Sequence, residues 1–337
     1  MSVLSLYPGF GQVTVVGNFL SVLQEFTGAG NLRLIASARS GLTAGLRALG
    51  CGRMDELLVP PYLGQCVLSA LNRSSFPAMS VSSRTRGMLV FHQFGFPQKI
   101  DLIEAAAMKK GYFIINDCAH LLSGRYQGRD VVRWGDVTVM SFPKFFPSVL
   151  GGALMTARED LLQRIDQQRA VIDEARFLDE AYDILKRVKS SDRLVSVLDV
   201  EAVFGYLPDL LAFPDRALAG LPADEKALGG EIQRRVDLWS LLKKHFPSRV
   251  PVCDDSDVVP FAIPLELRAG DREDVLEDIR EQWSVDLPVL HFDFARNMLA
   301  PDYRRAVVIG CHEGWKRELV VGIVDQLQRA WHEPVYG

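Results

Sequence analysis

Short apolar runs and helical-period stretches alternate along the first 160 residues of this chain. Residues 32–36, 57–62, 88–91, 112–115, 137–140 and 153–156 are rich in Leu, Ile, Val and Phe and read as strands. Between them apolar positions follow a helical spacing, as at Leu42, Leu46 and Leu49, and residues 101–110 read as a crossover helix. A further helix is expected over residues 15–26. A long amphipathic one runs from about 158 toward 181, its charges forming a solvated face. Pro208, Pro214 and Pro222 then punctuate the chain. Past them the pattern predicts a helix from 222 to 246, a strand over 259–265, a helix over 271–283, short strands near Leu287 and Val307, and a last helix over 315–331. Two domains follow, 1–220 of α/β type and 221–337 of α+β type, with no internal repeat.

Candidate chemistry sits at two strand ends. The run 112–115 ends at Asn116 and Asp117; the run 137–140 ends at Ser141, with Lys144 just beyond. In open α/β sheets the carboxyl ends of strands open onto the binding crevice. An acid at one end and a lysine past another suit pyridoxal 5'-phosphate (PLP), whose aldehyde takes a Schiff-base lysine and whose ring nitrogen pairs with an acid. Lys144 is flanked by Phe142, Pro143, Phe145 and Phe146, an apolar setting for a cation. Ser40 and Gly41 stand where the helix after 32–36 should begin, and helix N-termini bind phosphate, although a Ser-Gly pair by itself reads more readily as a plain cap. Tyr62, near a strand end, reads as a packing residue as readily as a functional one, and His92, at another, reads more readily as structural than as catalytic.

The stretch 112–156 resembles the DegT/DnrJ/EryC1/StrS group of PLP-dependent aminotransferases. The matching residues are Asp117-Cys118-Ala119-His120, then Gly124 or Arg125 leading to Tyr126 and Gly128, then Gly135-Asp136, Ser141-Phe142 and Lys144. The resemblance implies the type I PLP-dependent transferase fold, an α/β architecture with a mostly parallel seven-stranded sheet in a large domain, a smaller α+β C-terminal domain, and a homodimer. It implies Lys144, Asp117 and His120 as catalytic residues: Lys144 as Schiff-base lysine and proton carrier, Asp117 on the ring nitrogen, His120 beside the ring hydroxyl. Ser141 would meet the phosphate together with Ser40, Gly41, Leu42 and Thr43, Leu42 standing where the family has threonine. Gly64 occupies the usual position of the ring-stacking aromatic, leaving Tyr62 or His120 to cover a face. The loop from His92 to Asp101 would shape the site. Three further departures are visible. Lys144 follows Ser141 by three residues rather than five, an Asn-x-Arg-Met element is missing, and the segment that normally arms the partner's site is short.

The function implied is amino transfer from an amino-acid donor such as glutamate to a keto group, in this family often that of a sugar or cyclitol. The alternatives are a PLP-dependent decarboxylase or other lyase, and a non-catalytic binding protein. Arg39, Arg125 and Arg317 are candidates for a carboxylate clamp.

Composition narrows the remaining classes. With 337 residues and 48% hydrophobic content the chain can bury a large core. A net charge of −4 argues against nucleic-acid binding by bulk electrostatics. No apolar run approaches the roughly 20 residues a membrane span needs, and no basic residue precedes Arg33, as a secretory signal would require. Five scattered cysteines without a CxxC pair suit reduced thiols in a cytoplasm and argue against a metal site.

Overall fold

The computed structural model describes residues 4–8, 19–168, 174–190 and 195–331. A first helix, α1 (Phe19–Thr27), leads into β1 (Leu32–Ile35) and α2 (Ala38–Ala48). Then come β2 (Glu56–Leu58), α3 (Gln65–Leu71), β3 (Phe76–Ala78), β4 (Thr85–Phe91), α4 (Ile100–Lys110) and β5 (Phe113–Cys118). A small hairpin, β6 (Gly124–Tyr126) and β7 (Arg129–Asp130), precedes β8 (Val137–Ser141) and β9 (Gly152–Met155). Seven of these strands form one sheet in the order β1-β9-β8-β5-β4-β2-β3, and only β9 runs against its neighbours. The fold is therefore the α/β arrangement that the strand–helix alternation predicts, with a mostly parallel sheet.

Why α2 lies so close to the sheet is written in two glycines. A Cβ on Gly41 would come within 2.8 Å of Ile35 and Val139, and one on Gly45 within 2.9 Å of Val137. Spaced four apart, they form a bare face that settles onto β1 and β8. Leu42, Leu46, Leu57, Leu89, Ile115 and Leu154 fill the core on that side, each fully buried leucine contributing about 2 kcal/mol.

The second half supplies α5 (Glu159–Asp166), α6 (Glu174–Lys189), α7 (Val197–Tyr206) and α8 (Glu225–His245). It ends in β10 (Ser256–Val258), β11 (Ala262–Glu266), α9 (Asp274–Trp283), β12 (Val289–Asp293), β13 (Tyr303–Gly310) and α10 (Arg317–Ala330). β11, β13 and β12 form an antiparallel sheet whose buried face packs on helices α8, α9 and α10. The two halves interlock. β10 pairs back onto β6, and Leu4 bridges to Val285 beside α9.

Three local expectations change. The strand expected over 57–62 ends at Leu58, because Pro60 and Pro61 offer no N–H to a ladder. The helix expected from 158 to 181 is two helices. Leu161 and Ile165 of α5 pack in the cluster that holds α2, whereas Leu178 and Ala181 of α6 belong to a separate cluster with α7. The helix expected over 15–26 is described from Phe19; residues 9–18 lie outside the described residues.

Candidate active site

Asp117 sits at the carboxyl end of β5, held between Phe91 of β4 and Val139 of β8 by parallel pairing. It is buried, and its Oδ1 accepts a hydrogen bond from the Ala119 N–H at 2.9 Å. Burial pushes its carboxyl up to about 6, with the Ala119 N–H and the charge of Lys144 pulling the other way. A carboxylate this short of donors is poised for a cationic partner.

Lys144 ends a single 3-10 turn, Phe142–Lys144, just after β8. Pro143 preorganises that turn, and buried Phe142, Phe145 and Phe146 pin it from both sides, leaving the lysine side chain partly exposed. Its Nζ donates to the Tyr7 hydroxyl at 3.1 Å and lies 4.3 Å from the centre of the Tyr7 ring.

His120 completes the group. Its ring is stacked on Phe261 at 4.4 Å and on Phe94 at 5.9 Å. Burial, then the charge of Lys144, holds its pKa well below the ordinary value, so the imidazole is neutral. Because Nδ1 accepts from the Phe94 N–H at 3.3 Å, the single ring proton belongs on Nε2, which makes His120 a donor. Asp117, His120 and Lys144 are thus brought together at one end of the sheet, close enough for the charge of Lys144 to act on both others.

The start of α2 lies beside them. The helix begins at Ala38, ahead of the Ser40–Gly41 expected from the sequence, because Ser37 caps it and accepts from the Ser40 N–H at 3.2 Å. The Gly41 N–H already donates to Ser37 O at 3.1 Å, the Thr43 hydroxyl to Arg39 O at 3.2 Å, and the Ser40 hydroxyl to Leu207 O at 3.0 Å; Leu42 is buried in the core. The N–H groups a helix leaves uncommitted are then those of Ala38 and Arg39. The Ala38 N lies against Gly152, the cross-strand partner of Ser141, where an added Cβ would strike Met140 O and approach Ala38 N to 2.9 Å. Gly152→Ala should therefore cost about 1–3 kcal/mol and loosen the start of α2. Thermal unfolding and cofactor titration, with Gly30→Ala as a control in open space, would show it; equal melting of the two variants would contradict this packing.

The other candidates fall elsewhere. Tyr62 is 56% exposed, adopts a left-handed backbone (φ 62°), stacks on His291 at 4.5 Å and lies tilted against Tyr303 at 4.8 Å. His92 is a buried peg: its Nε2 meets Asn116 Oδ1 at 2.7 Å, its Nδ1 accepts from the Gln98 N–H, and burial pushes it down to about 4. Arg125 and Arg317 are exposed, and Arg39 is tucked over Phe204 at 4.4 Å. Besides the aromatic rings packed on His120, two polar residues outside the candidate set, among the described residues, are tied to the group. One is Tyr7. The other is Lys189, whose Nζ donates to Ser148 O at 2.6 Å and is pushed down to about 8 by burial and by the charge of Lys144. No periodicity or motif marks either in the sequence, since both arrive from distant parts of the chain.

The family described as "Putative PLP-dependent aminotransferase" matches residues 23–204, more than half of the chain. The chain belongs to this family of PLP-dependent aminotransferases. Its relatives are of the DegT/DnrJ/EryC1/StrS type. A UDP-N-acetyl-3-dehydro-alpha-D-glucosamine 3-aminotransferase of Acidithiobacillus ferrooxidans is 28% identical over 224 residues, covering 59% of this chain and 58% of that protein. An L-glutamine:scyllo-inosose aminotransferase of Streptomyces griseus is 27% identical over 45% of this chain and 41% of its own length. The chain thus spans about half the length of the curated relatives it matches. Among solved structures, the aminotransferase TlmJ from Streptoalloteichus hindustanus superposes with a TM-score of 0.66 at 15% identity, covering 96% of this chain and 92% of that one. DesV of S. venezuelae gives 0.64 at 18% identity over 96% and 91%. At such identities the likeness speaks for the fold alone, and it is the type I fold that the resemblance implies.

The residues present fit PLP. A buried carboxyl short of donors, a neutral histidine with a free Nε2–H, a lysine pinned at the crevice and an open helix start match a ring nitrogen, a ring hydroxyl, an aldehyde and a phosphate.

Proposed function

We propose that the protein moves an amino group from an amino-acid donor such as glutamate to a keto group on a sugar or related natural-product intermediate. The observation that carries this reading is the pairing of Asp117 with Lys144 across one crevice, each within the other's electrostatic reach. PLP, when bound, supplies an electron sink and an aldehyde for covalent attachment. Asp117 holds the proton of the ring nitrogen through an ion pair in a site too buried for water to screen it. His120 donates from Nε2 to the ring oxygen and stays neutral while doing so. Lys144 would hold the cofactor through its aldehyde, and its amine would move the proton at the donor's Cα as a general base. The phosphate corner is the start of α2 with Ser141; Ser40, Gly41, Leu42 and Thr43 support it as the first turns of that helix, and Tyr62, packed on His291 and Tyr303, takes no part in it. Lys189 adds positive potential beside Lys144, which favours an anionic donor.

Two domains divided near residue 220, a homodimer and a cytoplasmic location complete the proposal. Exposed Val197 and Leu198 on α7 support the dimer as an apolar surface awaiting a partner. Free cysteines support a reducing compartment, and no helix among the described residues is long and apolar enough to cross a membrane.

The test is a half-reaction. Cofactor-loaded protein given glutamate should convert bound PLP to its amine form and release one 2-oxoacid per site, seen by absorbance and by mass spectrometry. Release of carbon dioxide instead would replace this reading with a decarboxylase, and no change with a full panel of amino donors would remove the catalytic reading altogether.

A further inference from the structure

Tyr7 reaches Lys144 from a segment that belongs, by its contacts, to the other end of the chain. The Leu4 N–H donates to Ser284 O at 2.7 Å and Leu4 O accepts from the Asp286 N–H at 2.8 Å. Ser5 O accepts twice, from His312 Nε2 at 2.8 Å and from the Trp315 indole N–H at 2.9 Å. Leu6 is buried. The fit is tight: a Cβ on Gly314 would press on Leu4 and His312. Burial pushes His312 down to about 4, so it is neutral and keeps its Nε2–H for Ser5 over the ordinary pH range. Residues 4–6 are therefore a strap fastened to the C-terminal sheet and helices, and the strap delivers one side chain to the crevice.

That side chain is placed with some redundancy. The Tyr7 ring lies against Phe261 at 5.5 Å, and Phe261 in turn stacks on His120. Lys144 meets both faces of this arrangement: its Nζ is 4.3 Å from the Tyr7 ring centre, 5.7 Å from that of Phe261, and hydrogen-bonded to the Tyr7 hydroxyl. A cation gains from an aromatic face and from a hydroxyl acceptor alike. The geometry points to Tyr7 as a positioning residue for Lys144, one that receives the amine whenever it is not attached to the cofactor and holds it in the crevice for proton transfer. This rests on the aminotransferase reading for its purpose, and on the Tyr7–Lys144 contact alone for its physics. Because the strap is tied to the C-terminal unit, the hold on Lys144 depends on that unit staying docked.

The experiment uses the full chain without added cofactor, then with it. Lysine acetylation by a limiting pulse of acetic anhydride is read peptide by peptide, with exposed Lys109 as internal reference. Tyr7→Phe keeps the ring and loses the hydroxyl; Tyr7→Leu loses both. Lys144 should be labelled about five-fold faster in Tyr7→Phe, the worth of one ordinary hydrogen bond, and faster still in Tyr7→Leu. In the loaded protein Tyr7→Phe should lower kcat about ten-fold with little change in the donor KM, since a misplaced base costs rate rather than binding. Unchanged labelling overturns the proposal. Faster labelling with an unchanged kcat also overturns it, because Tyr7 would then only shield the amine. If the wild-type protein turns over no donor, the aminotransferase reading falls, while the labelling still decides whether Tyr7 holds Lys144.

Discussion

Lys144→Ala should lower turnover by about 10⁴-fold, the upper end of what one acid–base residue contributes, and should abolish borohydride-stable attachment of PLP to the protein. The fold should survive. The Lys144 side chain is only partly buried, and the contacts that pin its turn come from Phe142, Phe145 and Phe146. The melting temperature should therefore stay close to that of the wild type, which separates lost chemistry from lost structure. Lys144→Arg is the sharper control. It keeps the charge that acts on Asp117 and His120 but cannot attach an aldehyde or carry a proton near neutral pH. If it behaved like the wild type, the role given to Lys144 would be wrong. Methylamine added to Lys144→Ala should restore part of the rate, since a free amine can do the proton transfer that the side chain no longer does.

The candidate core is legible in the sequence because its residues sit next to strand ends. Asp117 and Lys144 each follow a short apolar run, and parallel pairing of β5 with β8 brings those two ends side by side. Local pattern plus one topological rule is enough for that. The phosphate corner is less legible. Ser40-Gly41 has the look of a helix start, but Ser37 caps the helix first and Gly41 serves close packing on Ile35 and Val139. A capping serine and a packing glycine three or four residues apart cannot be told from a phosphate loop by composition alone. Tyr7, Lys189 and Phe261 are illegible for a different reason. Their link to Lys144 spans 137 residues in the case of Tyr7, and no periodicity encodes contacts of that range. The same holds for β6, β7 and β10, three short strands whose pairing joins the halves of the chain.

Asp117→Asn should make the cofactor-free protein more stable and the enzyme nearly inactive. The Asp117 carboxyl is pushed up to about 6 from an ordinary 3.8 by burial. A group whose folded pKa is raised favours the folded state while protonated, fully below the ordinary value, and loses that advantage as pH rises through the folded value. Above about pH 6 the folded protein must therefore keep a buried charge that the unfolded chain would hydrate. The difference of roughly two pKa units corresponds to about 3 kcal/mol. Asparagine keeps an oxygen for the Ala119 N–H and carries no charge, so at pH 8 it should recover most of that amount, raising the melting temperature by roughly 5 °C or more in a chain of this length. Near pH 4, where the aspartate is already protonated, the two proteins should melt together. Lys144 partly offsets the cost of the charge, so the gain from Asp117→Asn should be larger in a Lys144→Ala background, a coupling that a double-mutant cycle reads directly. Equal melting of wild type and Asp117→Asn at pH 8 would mean the carboxylate is satisfied without a ligand. The expected result says instead that this acid is held at a loss in the empty crevice, and that a cationic ring nitrogen is what recovers it.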